Sequence, residues 1–298
     1  MVVNMMKKRW SYVLLIVFVL GAAIKEVYAK IALNSIDPFP FTLMTSSVAQ
    51  ATALIFLVLR VGKQPAAEGR WDGPVWLRVI LLCLSTFAAL LFNNIATDLI
   101  GPVSYKIIDG IAYPVFLGIL AFFFLGEVIS SRTLAAALIA LAGFGVYYAD
   151  QFAYLQVNLP GLLAAIVTPF FFAISMIQIK WLLSHHFVPE KVVAVRFSLI
   201  TLAALVWLPG HFPAMTSQSW LLVILIGSLG LALLFFILFT ALTNIPATAM
   251  TVFSASTPLF SAVTAWLLIP GTTYQLNHYI GLTIIMVGLV SKVVEAEK

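Results

Sequence analysis

The chain is short of charge. Only 9% of its 298 residues are Asp, Glu, Lys or Arg, where a water-soluble domain carries about 25%. With 62% hydrophobic residues and a mean hydropathy of +1.09, there is too little polar side chain to cover a surface in water, so lipid must be part of the solvent. Cysteine is almost missing. Cys83, inside an apolar run, is the single copy, which excludes a disulfide framework and a thiolate metal site; it reads as a small buried hydrophobe. Long polar stretches are missing too, the longest being 60–75 with Lys63, Pro65, Glu68, Arg70, Asp72 and Pro74. There is no HExxH, no GxSxG and no glycine-rich phosphate loop, which argues against an intramembrane enzyme and against ATP coupling. His185 and His186 have no His, Cys or carboxylate at convincing ligand spacing, so no metal and no cofactor is expected.

What is present is a series of apolar runs. A helix needs about 20 apolar residues to cross the hydrocarbon core. Ten runs qualify, at roughly 10–32, 39–59, 76–98, 103–125, 133–149, 160–183, 191–209, 219–242, 246–269 and 278–294. The fold class expected is an all-α membrane protein. The first run follows Lys7, Lys8 and Arg9 as a signal peptide would, but it continues into Lys25 and Glu26, which suits a cleavage region poorly.

The basic residues orient the spans. With the N-terminus in the cytoplasm, the outside loops 33–38, 99–102, 150–159, 210–219 and 270–277 hold no Lys or Arg. Lys7, Lys8, Arg9, Arg60, Lys63, Arg70, Arg78, Arg132, Lys180, Lys191, Lys292 and Lys298 all fall inside. This is the positive-inside pattern, and it places both termini in the cytoplasm of an inner (plasma) membrane protein. The net charge of +5 is thus a matter of topology, and no nucleic-acid partner is expected.

The chain repeats itself. Residues 76–125 align with 220–269 at a constant offset of 144: Trp76 meets Trp220, Pro102 meets Pro246, Pro114 meets Pro258 and Phe116 meets Phe260. More loosely, AIKEVYAK (23–30) lies over ISMIQIK (174–180). The halves are 1–150 and 151–298. Each holds an odd number of helices, so the second copy enters the membrane upside down, the plan of many secondary transporters with a site near the midplane.

At these residues the chain resembles a family. YPVFLGILAFFFLGEVIS (113–130) looks like the Leu-Gly-Glu signature of EamA-like members of the drug/metabolite transporter superfamily, and ALTNIPATAMTVFSASTPLFSAVTAWLLI (241–269) is similar to the matching part of a second repeat. The resemblance implies ten helices, cytoplasmic termini and a central cavity lined by the first, third, fourth, sixth, eighth and ninth. There are departures. Ile269-Pro270-Gly271 stands where the first half has Leu125-Gly126-Glu127, and Thr45 stands near a position where many relatives have Arg, while Arg196 is kept.

Ionisable groups inside spans are costly and are functional candidates. They are Lys25, Glu26 and Lys30 in the first span, Asp98 at the end of the third, Lys106 and Asp109 in the fourth and Arg196 in the seventh. At about 1.5 Å per residue, Glu26 and Asp109 both lie about 9 Å below the outer surface, with Lys25 and Lys106 at neighbouring levels. Local pairing of Glu26 with Lys30 or of Lys106 with Asp109 is the structural alternative, as is an Arg196–Glu190 pair. Lys30 and Asp98, near helix ends, read as structural. Asn93 and Asn94 add uncharged polarity. The repeat partners are apolar or neutral: Lys106 aligns with Met250, Asp109 with Phe253, Lys25 with Ser175 and Glu26 with Met176. Half one therefore offers charge, and half two offers Met176, Gln178, Met250 and Phe253. That asymmetry suits a small molecule with a polar head and an apolar body, an amino acid or similar zwitterion, moved by an exporter or exchanger. Glu26 or Asp109 is a candidate to hold a coupling proton. Amphiphilic drugs, nucleosides, sugars or organic acids are the alternative cargo, and a non-transporting receptor is the alternative class. Gly143, Gly145, Gly281 and Gly288 suit close helix packing and leave a monomer or a weak dimer open.

Overall fold

The computed structural model describes residues 2–60, 71–126, 158–245, 257–269 and 275–293, with 135, 138–139, 142–143, 145–147, 247 and 250. Every regular element among them is a helix: α1 (Val2–Leu33), α2 (Pro38–Arg60), α3 (Gly73–Ile100), α4 (Pro102–Leu125), α5 (Leu159–Ser184), α6 (Pro189–Arg196), α7 (Ser198–Trp207), α8 (Ser217–Leu225), α9 (Leu234–Leu242), α10 (Thr257–Leu268) and α11 (Leu276–Val293). A 3₁₀ turn, Leu208–Gly210, extends α7, and a π-helical segment, Ile226–Leu233, joins α8 to α9.

Local chemistry sets the ends. The Asp72 carboxylate accepts the Val75 N–H at 3.1 Å and caps α3. Pro38, Pro160 and Pro189 sit in first turns, where a missing N–H costs nothing. Gly126, at φ 67°, closes α4 by bonding Ala121 O, a left-handed conformation that glycine adopts without strain. Pro114 and Pro169 lie inside α4 and α5. Pro258 lies in α10, and residues 251–256 before that helix are outside the described residues.

Among the described residues, seven segments are long and apolar enough to cross a membrane: Trp10–Leu33, Pro38–Leu59, Gly73–Ile100, Pro102–Leu125, Leu159–Ser184, Pro189–Gly210 and Ser217–Leu242. They coincide with the first four and the sixth to eighth expected spans. Two shorter apolar helices, Thr257–Leu268 and Leu276–Val287, occupy the places of the ninth and tenth. Most of the fifth, 133–149, lies outside the described residues. The outer faces are apolar: Phe123 is 73% exposed and Val206 84%. A surface like this is stable against hydrocarbon and unstable against water.

The core runs down the middle. Leu82, Leu117, Ile177, Phe197 and Phe239 from α3, α4, α5, the α6–α7 junction and α9 form one buried cluster. A separate cluster joins Ile107 of α4 to Tyr147, Ala262, Leu282 and Ile285. There the fifth and tenth spans touch. A Cβ at Gly281 would stand 2.6 Å from Tyr147 N and 2.7 Å from Gly143 O. Gly143 and Gly281 are thus spent on each other within one chain. We expect Gly281→Leu to lower stability by about 1–3 kcal/mol, read as a lower melting temperature in detergent. Gly145→Ala, whose Cβ meets nothing within 4 Å among the described residues, should change little. Equal melting temperatures for both would show that the contact contributes nothing.

Candidate functional site

Glu26 is the hub of a polar cluster buried between helices. It is 1% exposed. Its Oε1 lies 2.8 Å from Lys25 Nζ and 3.4 Å from Lys106 Nζ. Its Oε2 accepts from Asn93 Nδ2 at 3.0 Å and from Thr97 Oγ1 at 3.3 Å. One carboxylate therefore ties α1 to α3 and α4. Lys106 also donates to Asp109 Oδ2 at 3.2 Å, a pair that the i, i+3 spacing places on one helical face. Lys106 additionally lies over the Tyr105 ring, 4.5 Å from its centroid.

The local alternative for Glu26 is not what forms. Lys30 turns away from it and donates to Asp98 O at 2.7 Å and Asp98 Oδ1 at 3.0 Å, a partly exposed pair linking the ends of α1 and α3. Asn94 donates to Thr42 Oγ1 at 2.7 Å and fastens α3 to α2. Gln178 accepts from Arg78 Nη1 at 3.0 Å, with the Arg78 guanidinium 5.0 Å from the Trp181 ring centre; this braces α5 against α3. Neither Asn94 nor Gln178 is among the cavity-lining residues. Phe253 lies outside the described residues.

Lys25, Glu26, Asn93, Lys106, Asp109, Met176, Arg196 and Met250 face one cavity. Arg196 ends α6 and is 1% exposed. Its Nε donates to Thr86 Oγ1 at 3.1 Å, and its guanidinium stands 3.7 Å from the Phe235 ring centre. It pairs with no carboxylate among the described residues, so the Glu190 pair is not formed.

The cavity also holds Thr257, Ser175, Tyr113, Phe172, Phe235 and Gly230, which sequence reasoning missed. Tyr113 was within reach, being four residues after Asp109 and so on its helical face. Phe235 lies in an unbroken apolar run that carries no signal. Gly230 belongs to the π-helical segment, and a Cβ there would meet Lys25 Cγ at 2.6 Å. Glycine at 230 lets the Lys25 stem pass against the backbone of the second half; π-helical turns recur at functional sites.

Chemically, the cavity joins three cations (Lys25, Lys106, Arg196) and two carboxylates (Glu26, Asp109) to an apolar wall. Three of its lining residues carry a buried polar atom with no hydrogen-bond partner among the described residues: Asp109 Oδ1, Asn93 Oδ1 and Arg196 Nη1. Two unsatisfied acceptors and an unsatisfied donor in its wall suit a small molecule that has both an amine and an oxyanion.

The sequence model of the EamA-like transporter family matches residues 9–149 and 159–292. Lys25, Glu26, Asn93, Lys106 and Asp109 fall in the first match and Met176, Arg196 and Met250 in the second, so the cavity is built from both copies. Among solved structures, one described as a crystal structure of a protein has a TM-score of 0.67 at 16% identity, over 95% of this chain and 97% of its own. That likeness concerns the fold. No curated protein matches the chain at a significant level.

Proposed function

The chain belongs to the EamA-like transporter family of the drug/metabolite transporter superfamily, and from that premise we propose that it moves an amino acid or similar zwitterion across the cell inner membrane. It is a multi-pass membrane transporter of two repeats. We assign it ten helices, with halves 1–150 and 151–298 inverted about the membrane plane and both termini cytoplasmic. It acts as an exporter or exchanger by alternating access. The two halves are copies of one packing, and exchanging their arrangements opens the cavity to either side.

One observation carries the substrate reading. The cavity between the repeats is lined by Asp109, whose Oδ1 has no hydrogen-bond partner among the described residues, and by Arg196, whose Nη1 has none, beside an apolar wall that includes Met176, Phe235 and Met250. An amine fits the first, a carboxylate the second, and a side chain the wall. A purely apolar drug would leave five buried or partly buried charges with nothing new to bond.

The test is the melting temperature of the purified protein against amino acids, amines, organic acids, nucleosides and sugars, for wild type and Lys106→Ala. A ligand at 100 times its Kd stabilises the fold by about 2.7 kcal/mol. We expect the largest shifts from amino-acid-like ligands, weakened in Lys106→Ala, because the variant frees Glu26 and Asp109 from their shared cation. Shifts from sugars or neutral drugs alone would overturn the zwitterion reading. Saturable binding without flux into proteoliposomes would favour a receptor.

A further inference from the structure

The five charges of the cavity do not balance. Lys25, Glu26, Lys106 and Asp109 form a chain of contacts at 2.8, 3.4 and 3.2 Å and neutralise one another two against two. Arg196 stands outside that chain. It is buried, it faces the cavity, and no carboxylate reaches it among the described residues. Of its five N–H groups, Nε–H alone has a hydrogen-bond acceptor among the described residues, Thr86 Oγ1, and Nη1 is buried with none among them. The Phe235 face at 3.7 Å holds the guanidinium plane and offers its π electrons, but it supplies no formal negative charge.

An uncompensated guanidinium in a membrane-embedded core is a large cost to the fold. Its planar fork matches a carboxylate with two parallel N–H···O bonds. We infer that Arg196 anchors the carboxylate of the transported molecule, and that the carboxylate rather than the amine is the obligatory recognition group. The inference rests on reading this cavity as the transport site. The substrate class is then a carboxylate with an apolar body. An amine, where present, adds a second contact at Asp109 Oδ1. Removal of the carboxylate leaves Arg196 buried and unpaired, so amides and decarboxylated amines are rejected.

The experiment uses four probes of one shape: leucine, leucinamide, 4-methylpentanoate and 3-methylbutylamine. Their affinities are measured on the full-length protein in detergent for wild type, Arg196→Gln and Arg196→Lys. In wild type the two carboxylates should bind and the amide and the amine should not. Arg196→Gln should weaken carboxylate binding roughly 10- to 150-fold. Arg196→Lys, with charge but no fork, should fall between. The ligand-free melting temperature separates this role from a structural one. Loss of an unpaired buried charge should leave it unchanged or raise it, whereas loss of a structural arginine would lower it. Equal binding of 3-methylbutylamine and 4-methylpentanoate, or an Arg196→Gln variant with the wild-type preference, would overturn the anchor while leaving a zwitterion site intact. Binding of none of the four, with shifts from sugars or nucleosides, would overturn the transport-site reading itself and the anchor with it.

Discussion

Glu26→Ala is expected to destabilise the protein by about 3–5 kcal/mol, the cost of breaking a buried ion pair by removing one member. The carboxylate is 1% exposed and has four partners on three helices: Lys25, Lys106, Asn93 and Thr97. Without it, Lys25 loses its only described ion-pair partner, and Lys106 is left with Asp109 alone. The cavity then holds three cations against one carboxylate. The melting temperature in detergent should fall by roughly 10 °C. Adding Lys25→Met to Glu26→Ala removes one charge of each sign and should recover a large part of the loss, because these two neighbours do not act additively. A single variant as stable as wild type, or a double variant worse than the sum of its parts, would show that the cluster is not held together by charge.

The second large effect is on binding. Asp109→Asn keeps the shape of the side chain and removes its charge. Lys106 still has Glu26 at 3.4 Å, so the fold should lose little. Asp109 Oδ1, which has no hydrogen-bond partner, is where an amine would be received. Leucine should therefore bind roughly 10- to 150-fold more weakly, while 4-methylpentanoate should be unaffected. The same variant tests proton coupling. Glu26 is fully engaged by four partners, so Asp109, with one free oxygen, is the better candidate to carry a proton in each cycle. Flux between about pH 5.5 and pH 8 should vary in wild type and flatten in Asp109→Asn. A flat wild-type profile would remove the coupling proton, and an unchanged profile in the variant would move it to another group.

The site was partly legible. The depth estimate on a straight helix brought Glu26 and Asp109 to one level, because rise per residue is constant whatever the neighbours do. The structure connects them through Lys106. The same arithmetic says nothing about rotation between helices. Lys30, one turn from Glu26, therefore stood as its local partner, and the structure pairs it with Asp98 on α3 instead. Asn94 and Gln178 looked like Asn93 and Met176 in sequence, yet they bond Thr42 and Arg78 and are not part of the cavity lining. Arg196 looked half structural because Glu190 is near it along the chain; in space it meets Phe235 instead.

The apolar runs, the Pro and Gly at their ends, and the placement of Lys and Arg are enough to establish a helical membrane protein of two related halves. Those features answer to a solvent with no hydrogen bonds to offer and to a potential that sorts charge, and both act on each segment separately. Contacts between segments are different. The α1–α3–α4 carboxylate hub, the approach of Gly230 to Lys25 and the meeting of Gly143 with Gly281 depend on how packed helices rotate against one another. In hydrocarbon that rotation is set by small residues and buried polar partners from distant parts of the chain, so only the folded arrangement reveals which charges are neutralised and that Arg196 is left over.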